Sequence, residues 1–330
     1  MRYEHVLSFA TDHKGTQAMR KGTSTLVATL AAVLALTVTG CGSDPASSAE
    51  TDEITLGMSV STLGNPFFVE MKKGAEQEAK AHKVTLSVSD ARDDANQQAN
   101  HLQDFTSRGV TAIIVNPVDS DAAGPSVKAA VNAGVPVVAA DRAVNGAPVA
   151  TTVASDNVEG GKLAADVLAE ELDGKGTIVV LRGTAGTSAS QERGKGFTEG
   201  LKKHPGITVV ATQTADFDRA RGMDVMTNLL QRHPDIDGVF AENDEMALGA
   251  VKALGDRAGS SVTVVGFDGT ADGLKAVKSG TLAASIAQQP DELGRMAVRN
   301  AVRLARGSEV DKEIKVPVKV VTKDNVDQFL

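Results

Sequence analysis

The chain has 330 residues, 42% of them hydrophobic and 23% charged, with a formal net charge of −8. Those proportions exclude a disordered chain and leave room for two domains of ordinary size. The acidic balance, with no basic patch interleaved with aromatics, argues against nucleic acid as a partner.

At the amino end, Arg20 and Lys21 precede an uncharged apolar run, Leu26 to Val38, that is too short to cross a bilayer as a helix. Small residues follow it, and then Cys41, the only cysteine in the chain. Basic, apolar and small residues in that order are the anatomy of a secretory leader. We therefore read 1–40 as a signal peptide, with Met19 as an alternative start. With no second cysteine, Cys41 has no intramolecular disulfide partner. The Val38–Cys41 segment resembles the lipobox of bacterial lipoproteins, which implies a lipidated Cys41. Residues 41–52, rich in Ser, Ala and acid, then form a flexible tether.

From Ile54 onward strand-like and helix-like segments alternate. Strands are predicted at Ile54–Val60, Val84–Val88, Ala112–Val115, Val135–Ala139 and Val149–Ala154, with helices at Phe67–Ala81, Asp94–Arg108 and Asp121–Ala133. A helix over Glu159–Leu172 begins a second set after the capping tripeptide Ser155-Asp156-Asn157. Its strands are predicted at Thr177–Leu181, Thr208–Thr212, Gly238–Ala241, Val262–Gly266 and Leu282–Ala287. Its helices are predicted near Ser188–His204, Phe217–Arg232, Glu245–Leu254 and Thr270–Ser279. A last helix, Asp291–Arg306, and one strand, Lys315–Val321, return to the first set and cross again. Such alternation predicts an α/β protein of two similar lobes, each a parallel sheet flanked by helices. Lobe one takes 53–155 with 289–319, and lobe two takes 156–288 with 320–330. No long linker divides them, so short hinge crossings should join them.

The chain is poor in aromatics, with nine Phe, one Tyr and no Trp. Phe67 and Phe68 nevertheless stand together after the first strand, in Ser61-Thr62-Leu63-Gly64-Asn65-Pro66-Phe67-Phe68. Asn65-Pro66 suits a turn into a helix, because proline lacks the N–H that a helix start leaves unpaired. The pair therefore sits at the carboxyl edge of the sheet, where open α/β sheets bind ligands. A flat apolar face beside polar Ser61 and Asn65 suits one side of a sugar ring; packing residues capping the sheet are the alternative. Other strand ends carry polar residues: Asn116, Asp141-Arg142, Asn243-Asp244-Glu245, Asp268 and Gln288. Each alone reads as a turn or cap residue, but together they converge if the two sheet edges face each other. Asp141 and Asp268 balance Arg142 and Arg193, which suits a neutral ligand with many hydroxyls rather than an anion.

Catalytic patterns are missing. His82, His101, His204 and His233 lie in or at the ends of predicted helices and are expected to be solvated. No nucleophile–base order, zinc signature or glycine-rich phosphate loop stands in context, so no enzyme activity, cofactor or metal is expected. Asp235-Ile236-Asp237-Gly238 lacks the ligand spacing of a calcium loop and reads as a turn.

At these residues the chain resembles the periplasmic sugar-binding proteins of ABC importers, which have the type I periplasmic binding protein fold. The resemblance runs over about 53–322. It is carried by Ser61–Phe68, Asn116–Ala122, Asp141-Arg142, Ala154–Asn157, Ala185–Ser188, Glu192–Gly194, Ala215–Asp218, Asn243–Ala250, Val265–Thr270 and Ile286–Gln288. It implies a cleft lined by Ser61, Asn65, Phe67, Phe68, Asn116, Asp141 and Arg142 from lobe one. Arg193, Phe217, Asn243 and Asp268 would face them from lobe two, with Gln288 near the hinge. It implies a monosaccharide ligand, D-ribose favoured, held between aromatics of opposite lobes and delivered to an ABC permease by hinge closure. Gly64 departs from the asparagine of the family pattern, and the lipobox departs from its freely soluble form. The expected protein is a monomer outside the cytoplasm, tied to the cell membrane through Cys41. A sensor role toward a membrane receptor is compatible with the same cleft. A lactose-repressor-type regulator would need a helix-turn-helix where the leader stands.

Phe217, flanked by Asp216 and Asp218, is read as opening a helix and belonging to the ligand rather than the core. In an open, ligand-free form it should be largely wet.

Overall fold

The short apolar runs become strands because helices cover both faces of each sheet, so little of the central strands reaches water. Ala112–Val115, Val137–Ala140 and Gly238–Ala241 are buried at every position, as expected for parallel strands in a doubly covered sheet. The computed structural model describes residues 53–330. The leader over 1–40, Cys41 and the rest of the 41–52 tether lie outside the described residues.

In chain order the first half is β1 (Thr55–Val60), α1 (Pro66–His82), β2 (Thr85–Asp90), α2 (Ala95–Ser107), β3 (Ala112–Val115), α3 (Gly124–Asn132), β4 (Val137–Ala140) and β5 (Thr151–Ser155). The second half is α4 (Asn157–Glu171), β6 (Gly176–Arg182), α5 (Ser188–Leu201), β7 (Ile207–Thr214), α6 (Arg219–Arg232), β8 (Gly238–Ala241), α7 (Asp244–Leu254), β9 (Thr263–Asp268), α8 (Ala271–Ser279) and β10 (Ala284–Ala287). Then come α9 (Pro290–Ala305), β11 (Glu313–Val316) and β12 (Lys319–Thr322). One six-stranded sheet has the order β11-β5-β4-β3-β1-β2 and the other β12-β10-β9-β8-β6-β7. The two orders match element for element. In each, the strand order reverses beside the first strand of its set, β1 or β6, and loops at such switch points form ligand crevices.

Helix starts put polar groups at the sheet edges. Asn65 caps α1, its side chain accepting the Phe67 N–H at 2.9 Å, with Pro66 in the first turn. Asn243 caps α7 in the same way, accepting from Met246 N–H at 2.9 Å. The α9 helix returns to lobe one and lies close against α1, where a Cβ on Gly74 or Gly294 would collide with the facing backbone.

Three details differ from the sequence reading. The strand expected over Lys315–Val321 is two strands: β11 runs parallel to β5 in the first sheet, and β12 runs antiparallel to β10 in the second. Pro317 interrupts them because it has no N–H for a ladder. Val316 then packs in the lobe-one core and Val321 in the lobe-two core. Phe217 does not open a helix. It and Asp216 have left-handed backbones (φ 61° and 53°), and α6 starts only at Arg219, capped by Asp218. The four histidines are half-buried rather than fully solvated, and three are partnered: His82 with Glu78, His101 with Ser59 and His204 with Asp166.

Candidate functional site

The carboxyl edges of the two sheets meet at a narrow cavity, placed where a ligand between two lobes would sit. Asn65, Phe67, Phe68, Asp141 and Arg142 line it from lobe one. Ala189, Arg193, Phe217, Asn243 and Asp268 line it from lobe two, with Gln288 beside the crossing to α9. An outer vestibule shares Asn65, Phe68, Arg142 and Phe217 with it and adds Thr62, Asp93 and Asp218.

Ser61 and Asn116 are not on the cavity wall. Asn116 is fully buried behind it, with its side chain wholly engaged. Its Oδ1 accepts from Ser61 N–H at 3.1 Å, and its Nδ2 donates to Ala140 O at 3.1 Å and Asp141 Oδ2 at 3.3 Å. Asn116 thus ties the ends of β1, β3 and β4 together and orients Asp141.

Asp141 follows β4 in a left-handed backbone (φ 66°), and Asp268 ends the equivalent strand of lobe two at φ 118°. With Phe217, three cavity residues hold conformations that are sparsely populated for side-chain-bearing residues, and such outliers cluster at ligand clamps. Arg142 lies 3.7 Å from Asp141 and donates to Pro117 O at 2.9 Å. Its guanidinium also lies 5.1 Å from the Phe68 ring centre and 5.5 Å from that of Phe217, so one cation touches an aromatic of each lobe. Arg193, from α5, is fixed on three sides. It donates to Asn157 Oδ1 at 2.9 Å and to Glu242 O at 2.6 Å, and reaches Asp268 Oδ1 at 3.5 Å. Gln288 donates to the same Asp268 oxygen at 2.7 Å.

Burial pushes the carboxyls of Asp141 and Asp268 above the usual carboxylate range, and the facing arginines oppose it. The same burial draws Arg142 downward. Asp141 Oδ1, Arg142 Nε and Gln288 Oε1 are buried and have no hydrogen-bond partner among the described residues. Buried polar atoms are normally paired, so this wall offers two acceptors and a donor to a guest. Phe67 and Phe68, T-shaped at 5.2 Å, line the cavity and also belong to the lobe-one core. Phe217 is half-buried and packs on the lobe-two core; a Cβ on Gly183 would collide with its ring.

The lobes also bond directly beyond the cavity. Ser120 N–H donates to Gly186 O at 2.9 Å, Ser188 N–H to Ser120 Oγ at 3.1 Å, and Ala143 N–H to Ser188 Oγ at 2.9 Å. Residues that the sequence reading passed over include Ala189 on the wall, and Asn157 and Glu242, which hold Arg193. Asn157 stood in a tripeptide read as a cap and a chain crossing. The carbonyl of Glu242 that takes Arg193 leaves no side-chain signal to find.

The family described as periplasmic binding protein domain matches residues 56–309. The ribose import binding protein of Escherichia coli is 46% identical over 269 residues, covering 82% of this chain and 90% of that protein. Its counterpart from Bacillus subtilis is 45% identical over 278 residues, covering 84% and 90%. Among solved structures, an ABC transporter solute-binding protein of Bacillus halodurans with bound myo-inositol superposes with a TM-score of 0.81 at 34% identity, covering 85% of this chain and 98% of that one. With two matching lobes, a shared cavity and these relatives, the chain belongs to the periplasmic binding protein family.

Proposed function

We propose that this protein is the substrate-binding component of an ABC sugar importer, taking D-ribose or a closely related monosaccharide into the cleft between its lobes. The observation that carries the reading is the composition of the cavity wall. Unpartnered buried donors and acceptors from both lobes alternate with the rings of Phe68 and Phe217. A sugar hydroxyl donates to a carboxylate and accepts from a guanidinium, while its C–H face covers an aromatic ring. The near balance of carboxylates and guanidiniums favours a neutral guest over an anion. Kinship with ribose import binding proteins supports ribose among the sugars.

Binding needs no bond made or broken, and hence no enzyme chemistry. The sugar bridges Asp141 and Arg142 to Arg193 and Asp268, so its contacts are complete only when the lobes close. A ligand that interacts better with the closed form shifts the population toward it. The closed surface is then what a membrane permease reads. We divide the chain into 53–155 with 289–319 and 156–288 with 320–330, which follows the two sheets except at Lys319, the first residue of β12. The amino end supports an extracytoplasmic protein tethered through lipid on Cys41, and the single-chain cleft is read as a monomer's. One acyl chain anchors only marginally, so at least two are expected.

Titration calorimetry of residues 51–330 against a panel of pentoses, hexoses, polyols and amino acids tests the reading. A ribose-like monosaccharide should bind most tightly, with chelator making no difference. Tightest binding of an amino acid or an anion would overturn it. The intact mass of membrane-extracted protein tests the anchor: an unmodified Cys41, or a different mature start, would sink it.

A further inference from the structure

Asp244 is completely buried and lines neither the cavity nor its vestibule. A buried carboxylate is costly unless it is hydrogen-bonded. This one is at the first position of α7, beside Asn243, yet its oxygens are spent on the turn before α8 and on Ser285 of β10. Oδ2 accepts from Thr270 N–H at 2.8 Å and from Thr270 Oγ1 at 3.1 Å. Oδ1 accepts from Ser285 Oγ at 2.7 Å, and that hydroxyl oxygen accepts in turn from Gly269 N–H at 3.0 Å. Gly266 and Gly273 leave the space it fills; a Cβ on either would collide with its oxygens. Favourable placement at a helix start accounts for an acid in α7 but not for these bonds.

The groups so tied, Gly269 and Thr270, immediately follow Asp268. With φ at 118°, Asp268 occupies a backbone region that persists only where the surroundings over-determine it. The charge of Asp244 also raises the pKa of Asp268, a repulsion that would separate the two were the turn free.

We propose that Asp244 is a positioning residue for sugar recognition: its carboxylate clamps the Gly269–Thr270 turn and so holds Asp268 in the strained backbone that presents it to the cleft. The assignment rests on the monosaccharide reading above. It makes Asp244 part of the binding machinery although it touches no ligand. Supporting residues of this kind are what hold a site within about 0.5 Å of its working geometry.

A double-mutant cycle on residues 51–330 tests this, with D-ribose as the probe and calorimetry as the readout. Asp244→Asn turns an amide group toward donors. It should weaken ribose binding about tenfold in the wild-type background, the scale of one hydrogen bond to a charged group. In the Asp268→Asn background the same change should cost less than about twofold, because coupled residues are non-additive. Equal losses in both backgrounds would assign Asp244 a general structural role, and no loss in either would also overturn the proposal. Should Asp244→Asn fail to fold, Thr270→Ser and Thr270→Ala replace it. Serine keeps both donors to Asp244 and should bind as wild type, while alanine should bind more weakly; equal binding by the two overturns the clamp. A wild-type protein that binds no monosaccharide would sink the sugar reading by itself. The clamp is then judged without ligand, from the hydrogen-exchange signal of the Gly269 and Thr270 amides, which should move to faster exchange in Asp244→Asn. An unmoved signal would overturn it.

Discussion

In lobe one the acid and base of the cleft are neighbours in the chain, Asp141 and Arg142. In lobe two they are Asp268 and Arg193, 75 residues apart. The sheets that carry them have the same strand order, and both acids stand at the ends of equivalent strands with positive φ. What differs is how each pair is assembled. The lobe-one pair is set by one turn after β4, with Asn116 behind it. The lobe-two pair needs α5 seated on α4, Asn157 and the Glu242 carbonyl for Arg193, and Gln288 with the Asp244 clamp for Asp268. One fold thus builds half a binding site from local sequence and the other half from tertiary packing. The second half should be more sensitive to substitutions that never touch a ligand.

The largest expected effect separates the two arginines. Arg193→Ala removes a buried cation from three partners, a class of change that costs about 2–5 kcal/mol. Ribose affinity should fall thirtyfold or more, about 2 kcal/mol at the least. The ligand-free melting temperature should fall with it, because Asp268 and Asn157 lose a buried partner. Arg142→Ala should weaken binding comparably and lower the ligand-free melting temperature less, since a single backbone carbonyl and the adjacent Asp141 depend on it. Equal losses of ligand-free stability would break the contrast between the lobes.

Phe217→Ala comes next. Losing the ring from a closed cleft should cost about 1.5–3 kcal/mol of binding, roughly a tenfold to hundredfold loss of affinity. The sequence reading expected the ligand-free protein to be indifferent. Half-burial on the lobe-two core revises that to a measurable drop in ligand-free melting temperature. An unchanged affinity with a large stability loss would make Phe217 a core residue only.

The buried acids predict a pH dependence. Burial raises Asp141, Asp244 and Asp268, Asp244 to about 6. Above the ordinary carboxylate pKa of about 4, the folded protein then holds more protons than the unfolded chain, so stability falls as pH rises through that window. The ligand-free melting temperature should be higher near pH 5 than near pH 7.5, on the order of a few degrees. Asp244→Asn should flatten the part below about pH 6. A melting temperature that climbs steadily from pH 5 to 7.5 would contradict the assignment.

The smallest effect is expected at the lip. Ser188→Ala removes a hydroxyl that accepts from Ala143 N–H across the lobes. One neutral hydrogen bond is worth about 0.5–1.5 kcal/mol, so affinity should drop at most about tenfold. Small-angle scattering should show closure needing more sugar, while unfolding of the open form is unchanged. A loss confined to ligand-free stability would place that bond in the open form as well.

The same contrast governs what could be read from sequence. Asp141-Arg142 and Asn65-Pro66-Phe67-Phe68 are contiguous, so composition and turn chemistry expose them together. Ala112–Val115 and Gly238–Ala241 were legible as strands because burial on both faces demands unbroken apolar runs. Arg193 stands in a helix with no local sign of its role: charge balance set it beside Asp268, and the resemblance put it on the cleft wall. Asn116 has the same polar strand-end signature as Asp141, yet its amide is used up behind the wall, a matter of side-chain direction that spacing does not encode. The left-handed backbone of Phe217 and the division of Lys315–Val321 between two sheets are also set by tertiary contacts rather than local pattern.

The most direct test is the crystal structure of residues 51–330 grown with D-ribose. The sugar ring should lie between Phe68 and Phe217, with its hydroxyls bonded to Asp141 and Arg142 on one side and to Arg193 and Asp268 on the other. A sugar held by one lobe alone, or bound away from this cavity, would contradict the account.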